Sequence, residues 1–234
     1  MNKKGQRLCV WSGILSIVVF FIGFWPMAHF MPPLSPSMTG QELADFYLNN
    51  SVGVRMGAIC ICLSAGLLVA FYTEITVQIS RIEGRYGPLS LSQMAVGVLA
   101  VVPFIPAAVA MCVITYRPDR DLATILMLSD CTWILLFMVA APAMVQFFIL
   151  GYAILTDTNS TPIFPRWMGY FTFWCAVLGI PGNVIVFFYG GPFSWAGLFG
   201  YWIPASLFGM WTFAMAWLLF KAIDNEPTPT WRAG

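Results

Sequence analysis

The chain has 234 residues, 59% of them hydrophobic and 9% charged, with a formal net charge of +1. Soluble domains carry roughly a quarter of their residues as charged side chains, so this composition excludes an ordinary soluble domain and assigns the chain to a bilayer. Its few basic residues are scattered, which excludes a nucleic-acid partner, since that would need a clustered basic face.

A membrane helix needs about 20 apolar residues, because lipid offers its backbone no hydrogen-bond partners. Runs at 9–31, 53–80, 91–116, 124–155, 168–190 and 198–220 meet that requirement. They predict an all-α, polytopic transmembrane bundle of six helices over residues 1–222. The polar tail 223–234, "DNEPTPTWRAG" after its first residue, is expected to be disordered.

The first run lacks a cleavage site of small residues and is read as a span rather than a removable signal peptide. It closes on "GFWPMAHFMPPLSPS", where Pro26 kinks or ends the helix and the chain's one histidine, His29, sits at the membrane rim. In "TGQELADFYLNN" Thr39 and Glu42 have capping-box spacing, and Leu43, Phe46 and Tyr47 recur at helical spacing. That pattern predicts a short amphipathic helix over 39–50, lying on the outer surface with its apolar face down.

The second run carries Arg55 at its start and Glu74, Gln78 and Arg81 towards its end. Its Gly53 and Gly57 have the four-residue spacing that lets helices approach closely, as have Ala205 and Gly209 in the sixth run. Such pairs serve packing inside the chain or between copies.

Odd-numbered spans share an opening ("QRLCVWSG", "GRYGPLS", "PRWMGYF") and a late proline ("FWPMA", "FIPAA", "GIPGN"). The echo reads either as a helical hairpin repeated three times or as chance among common membrane residues. On both readings Pro26, Pro103, Pro106 and Pro181 are expected to bend spans 1, 3 and 5 and open space between their outer halves. The segment "FFYGGPFSW" is expected to be a tight turn.

Orientation follows from the distribution of Lys and Arg, which concentrate in short cytoplasmic segments. With the N-terminus inside, Lys3, Lys4, Arg7, Arg81, Arg85, Arg166, Lys221 and Arg232 are inside and Arg55, Arg117 and Arg120 outside. Both termini are therefore expected in the cytoplasm of a multi-pass protein of the inner or plasma membrane. Trp11, Tyr86, Trp167 and Trp231 at one face, and Trp25, Tyr116, Tyr189 and Trp195 at the other, suit interfacial anchors.

Ionisable residues inside a membrane are costly and point to function. Asp130 lies nine residues past Asp121, roughly 13 Å along its helix, at a depth shared with Arg55, His29 and Asn183. One reading is a ligand-binding pocket in which Arg55 grips a carboxylate or phosphate; the other is an Asp130–Arg55 pair that pins two helices. Glu74 with Gln78 is likewise either a proton or cation site or a carboxylate neutralised by a snorkelling Arg81.

Classical enzyme chemistry finds little support. One histidine cannot build a multi-histidine metal site, and GxSxG, HExxH and phosphate-cradling glycine loops are missing. Six cysteines and thirteen methionines could offer soft ligands to Cu(I), but polarizable packing is the simpler account, so no cofactor or metal is expected. Three functions remain: a protein that binds or transports a small or amphiphilic ligand, alone or as an accessory subunit of a larger complex; a structural subunit that binds a membrane partner or a second copy; and a membrane-embedded enzyme acting on a lipid or apolar metabolite.

Overall fold

The computed structural model describes residues 2–226, so the expected tail lies largely outside the described residues. Seven helices are found among them: α1 (Lys3–Met27), α2 (Gly40–Asn49), α3 (Ser51–Ile82), α4 (Pro88–Tyr116), α5 (Leu122–Leu155), α6 (Arg166–Phe187) and α7 (Leu198–Asp224). All but α2 are long and apolar enough to cross a membrane, as a multi-pass integral membrane protein requires. The last helix runs two residues beyond the expected boundary at 222.

Six crossings bring the first and last described residues to one end, called here the terminal end; the other is the loop end. Lys3 Nζ donates to the Asp224 carbonyl at 3.1 Å, and Arg7 pairs with the Asp224 carboxylate at 2.6 Å. The spans form a ring in chain order, α1, α3, α4, α5, α6 and α7, closed by α7 against α1. Its closest approach is between α1 and α3. A Cβ on Gly57 would stand 2.6 Å from the Gly23 carbonyl and 2.8 Å from Ala28 Cβ, so Gly57 serves packing within the chain. Gly209 faces open space instead.

Two apolar clusters fill the ring. The terminal-end cluster holds Phe71, Tyr72, Ile75, Phe147 and Trp211; the loop-end cluster holds Phe24, Phe30, Tyr47, Trp133 and Tyr201. In the second, Phe24 stacks on Tyr201 and meets the rings of Phe30 and Trp133 edge-on.

Five of the six spans change their helical geometry part-way. α1 widens to a π-helix at Gly23–Met27 around Pro26; α4 breaks between Val101 and Phe104, at Pro103. α5 tightens at Met138–Ala140 just before Pro142, α6 becomes 3-10 from Ile180 at Pro181, and α7 opens with a π-turn, Leu198–Trp202, before Pro204. The expected bends in spans 1, 3 and 5 are thus joined by breaks in spans 4 and 6. Pro106 causes no break of its own, because it lies in the first turn after Pro103, where a missing N–H costs little.

The capping box of α2 forms as its residues imply: Glu42 N–H donates to Thr39 Oγ1 and Thr39 N–H to Glu42 Oε2. Its apolar face does not lie on lipid, however. Leu43, Ala44 and Tyr47 are buried against the loop-end half of α5, where the Tyr47 hydroxyl meets Ser129 Oγ at 3.1 Å. Trp195 also departs from expectation, being 6% exposed with its Nε1 donating to the Leu34 carbonyl at 2.9 Å. The segment around it folds on itself, through hydrogen bonds from Ser194 to Gly191, Gly197 to Ser194 and Phe199 to Pro192, and is tied to Leu34, so it is more than a tight turn.

Candidate functional site

Each of the five breaks gives at least one residue to the wall of a cavity of about 180 Å³ that lies between the two apolar clusters. Its walls come from every span: Phe20 and Phe24 from α1, Val101 and Phe104 from α4, Phe137, Ala140 and Ala143 from α5, Gly179 and Gly182 from α6, Gly200, Tyr201 and Pro204 from α7. The uninterrupted α3 adds Ser64, Leu68 and Tyr72. A volume near 150 Å³ accepts benzene in an engineered apolar cavity, so one six-membered ring fits here. The cavity is not sealed: half-buried members of its lining, among them Phe21, Phe104, Met144, Gly179 and Phe208, occur on α1, α4, α5, α6 and α7.

The polar groups of the lining are few. Ser16 and Ser64 donate to carbonyls three residues back, at 2.7 Å each, leaving their lone pairs free. Tyr72 and Tyr201 are each 2% exposed, and neither phenol makes a hydrogen bond among the described residues. Two unpartnered phenols in an apolar chamber are the arrangement that orients a ligand with a single polar group.

Behind Tyr72, towards the terminal end, α3, α4 and α5 enclose a knot of amides. Thr76 Oγ1 donates to Gln93 Oε1 at 2.6 Å, while Gln93 Nε2 and both amide atoms of the fully buried Gln146 have no partner. Buried amides without partners are rare in folded proteins.

The residues singled out from the sequence lie outside the cavity. Arg55 Nη2 donates to the Thr115 carbonyl at 2.8 Å, and no ion pair joins it to Asp130 among the described residues. Asp130 is half-buried and makes no hydrogen bond there. His29 is exposed, in the left-handed region at φ 57°, with Nδ1 3.1 Å from the Met27 carbonyl oxygen. Asn183 comes nearest, its Nδ2 reaching the sulfur of the lining residue Met144 at 2.8 Å. No hydrogen bond or ion pair gathers these four into one cluster among the described residues.

Glu74 and Gln78 do come together. Gln78 Nε2 donates to Glu74 Oε1 at 2.6 Å, and Arg81 Nη1 donates to Gln78 Oε1 at 2.5 Å and to the Ala222 carbonyl at 3.0 Å. Both residues are buried at 2% and 0% exposure, so the amide stands between the carboxylate and the guanidinium. No group of three or more His, Cys, Asp or Glu suited to a metal ion exists among the described residues.

Outside the spans, burial pushes the Tyr47 phenol up to about 12. Hydrogen bonds from Thr39 hold the Glu42 carboxyl below the usual carboxylate range, and those from Thr124 do the same for Asp121. The two carboxylates take part in the caps of α2 and α5.

Compared with known proteins, the chain matches no family model, no curated protein and no solved structure.

Charge does not mark this lining, whose polar groups are the hydroxyls of Ser16, Ser64, Tyr72 and Tyr201. One signal was present: the apolar run 124–155 is far longer than a crossing requires and contains Pro142, which points to a break in mid-membrane.

Proposed function

We propose that this protein binds a small, largely apolar ligand with one hydrogen-bonding group in its mid-membrane cavity, and carries it through or within the bilayer. The convergence of five helix breaks on that cavity supports the reading. Irregular backbone at membrane depth survives only where protein or a cavity surrounds it, and transporters place discontinuous helices at their substrate sites. The excess of Lys and Arg at the terminal end favours a cytoplasmic location for both termini in an inner or plasma membrane. Glu74 and Gln78, buried at that end, are the pair suited to take up a proton or cation during transport.

The test uses purified protein in nanodiscs with two probes, cyclohexanol and cyclohexane. A ligand that binds the folded state alone raises its melting temperature by mass action. Both probes are expected to stabilise the protein, cyclohexanol more. Tyr72→Phe should reduce the advantage of cyclohexanol, and Ala143→Phe, which fills the chamber, should abolish both effects. Absence of stabilisation in the unaltered protein, or its persistence in Ala143→Phe, overturns the proposal.

A further inference from the structure

A second hollow lies on the outside of the ring, where α3 and α4 meet near the loop end. It is an open groove of about 330 Å³, walled by Ala58, Ile59, Cys62, Val109, Cys112 and Tyr116 and ended by Arg120. Along α4 it runs from Tyr116 to Ala108, about 12 Å at 1.5 Å per residue. Ile59 and Val109 are 59% and 54% exposed, so the groove faces the lipid.

Two guanidinium groups stand at its loop end. Arg55, one turn before Ala58 and Ile59, is tied to the Thr115 carbonyl beside Tyr116. Arg120 is half-buried and makes no hydrogen bond or ion pair among the described residues; its Nε is sealed from solvent without a partner. The local acids do not neutralise them. Asp121 is occupied by the Thr124 N–H and hydroxyl, and Asp119 points to solvent in no ion pair among the described residues.

We infer that this groove is a binding site for one anionic phospholipid, with an acyl chain along α3 and α4 and the phosphate on Arg55 and Arg120. An apolar channel open to lipid, ended at headgroup depth by two cations without carboxylate partners, has the charge and shape complementary to that molecule. Guanidinium groups bind phosphate through paired, charge-assisted hydrogen bonds. Arg120 has both the free donors and the unmet need, because a half-buried cation without an anion is costly. The site is separate from the central cavity, so each proposal stands or falls independently.

The experiment is native mass spectrometry of the full chain in mild detergent, titrated with phosphatidylglycerol, phosphatidylcholine or glycerol 3-phosphate. One phosphatidylglycerol is expected to bind, about tenfold more tightly than phosphatidylcholine. Arg120→Gln breaks no protein hydrogen bond and should fold normally while losing most of that preference; Arg55→Gln should weaken it too. Val113→Trp, in the groove wall, should weaken both lipids. Equal affinity for the two lipids, an unchanged preference in Arg120→Gln, or binding of glycerol 3-phosphate as tight as that of the lipid would each overturn the assignment. So would a groove filled by a second copy, seen as a dimer that excludes added lipid.

Discussion

Gly97 and Tyr72 pack without a gap: a Cβ on Gly97 would stand 2.9 Å from Tyr72 Cδ2 and 2.5 Å from Gln146 Nε2. The missing side chain on α4 is what lets the phenol of α3 and the amide of α5 share one layer at the terminal side of the cavity. Gly97→Ala cannot be absorbed there without moving both neighbours. Overpacking of this kind costs about 1–3 kcal/mol, and it displaces Tyr72 from the cavity wall. The expected result is a lower unfolding midpoint in detergent together with weaker cyclohexanol binding; a variant as stable as the parent would show the layer to be looser than its contacts imply.

Glu83 ties the turn between α3 and α4 to the start of α4, its two oxygens accepting from the N–H groups of Leu89 at 3.0 Å and Ser90 at 2.8 Å. Desolvation raises the Glu83 carboxyl, but these hydrogen bonds outweigh it and hold the group below its ordinary value of 4.5. The carboxylate form is therefore favoured by folding, so its contribution is complete above pH 4.5 and disappears as pH falls through the lower folded value. At pH 7 Glu83→Ala should destabilise the protein by about 0.5–1 kcal/mol, the low end for a helix cap because the group is largely solvated. The difference between parent and variant should close on acidification, measured as two melting curves across the range.

The six spans were legible because lipid imposes a requirement that sequence displays directly: long apolar runs with few charges. The capping box of Thr39 and Glu42 and the breaks at Pro26, Pro103 and Pro181 were legible for a similar reason, since each depends on neighbours in the chain. What pairs across the ring was not. Asp130 and Arg55 both fall in the loop-end part of their spans, yet position along a helix does not fix azimuth, and Arg55 turns to the Thr115 carbonyl instead. Tyr72 and Tyr201 look like ordinary packing residues until the cavity between them is seen. Trp195 looks like an interfacial anchor until Leu34, 161 residues away, is found against it.

Glu74 distinguishes a structural carboxylate from a working one. Its carboxyl is held by an amide and has no ion pair among the described residues, so Glu74→Gln retains the shape and changes only the charge. Stability should stay within about 1 kcal/mol of the parent, whereas Glu74→Ala strands the buried Gln78 amide and should cost about 1–3 kcal/mol. If the group carries a proton during transport, Glu74→Gln should abolish the pH dependence of ligand uptake into proteoliposomes without unfolding the protein. A pH dependence that survives in Glu74→Gln would remove this residue from the mechanism.

Trp195 joins the two halves of the loop-end cap. Its indole N–H reaches the Leu34 carbonyl from a position six residues before Tyr201, in the segment that leads into the π-turn of α7 and the cavity wall. Trp195→Phe keeps most of the buried ring but leaves the Leu34 carbonyl without its donor, a loss of about 1 kcal/mol; Trp195→Ala also empties a space in the loop-end cluster and should cost about 3–5 kcal/mol. Because the bond that is lost joins Trp195 to Leu34 alone, the effect of Trp195→Phe should be local. Hydrogen exchange at residues 34–38 and at 197–201 should rise together in that variant, while exchange in α3 stays unchanged. Faster exchange at 34–38 alone would mean that the cap and the cavity wall move independently, and that access to the chamber is not governed from the loop end.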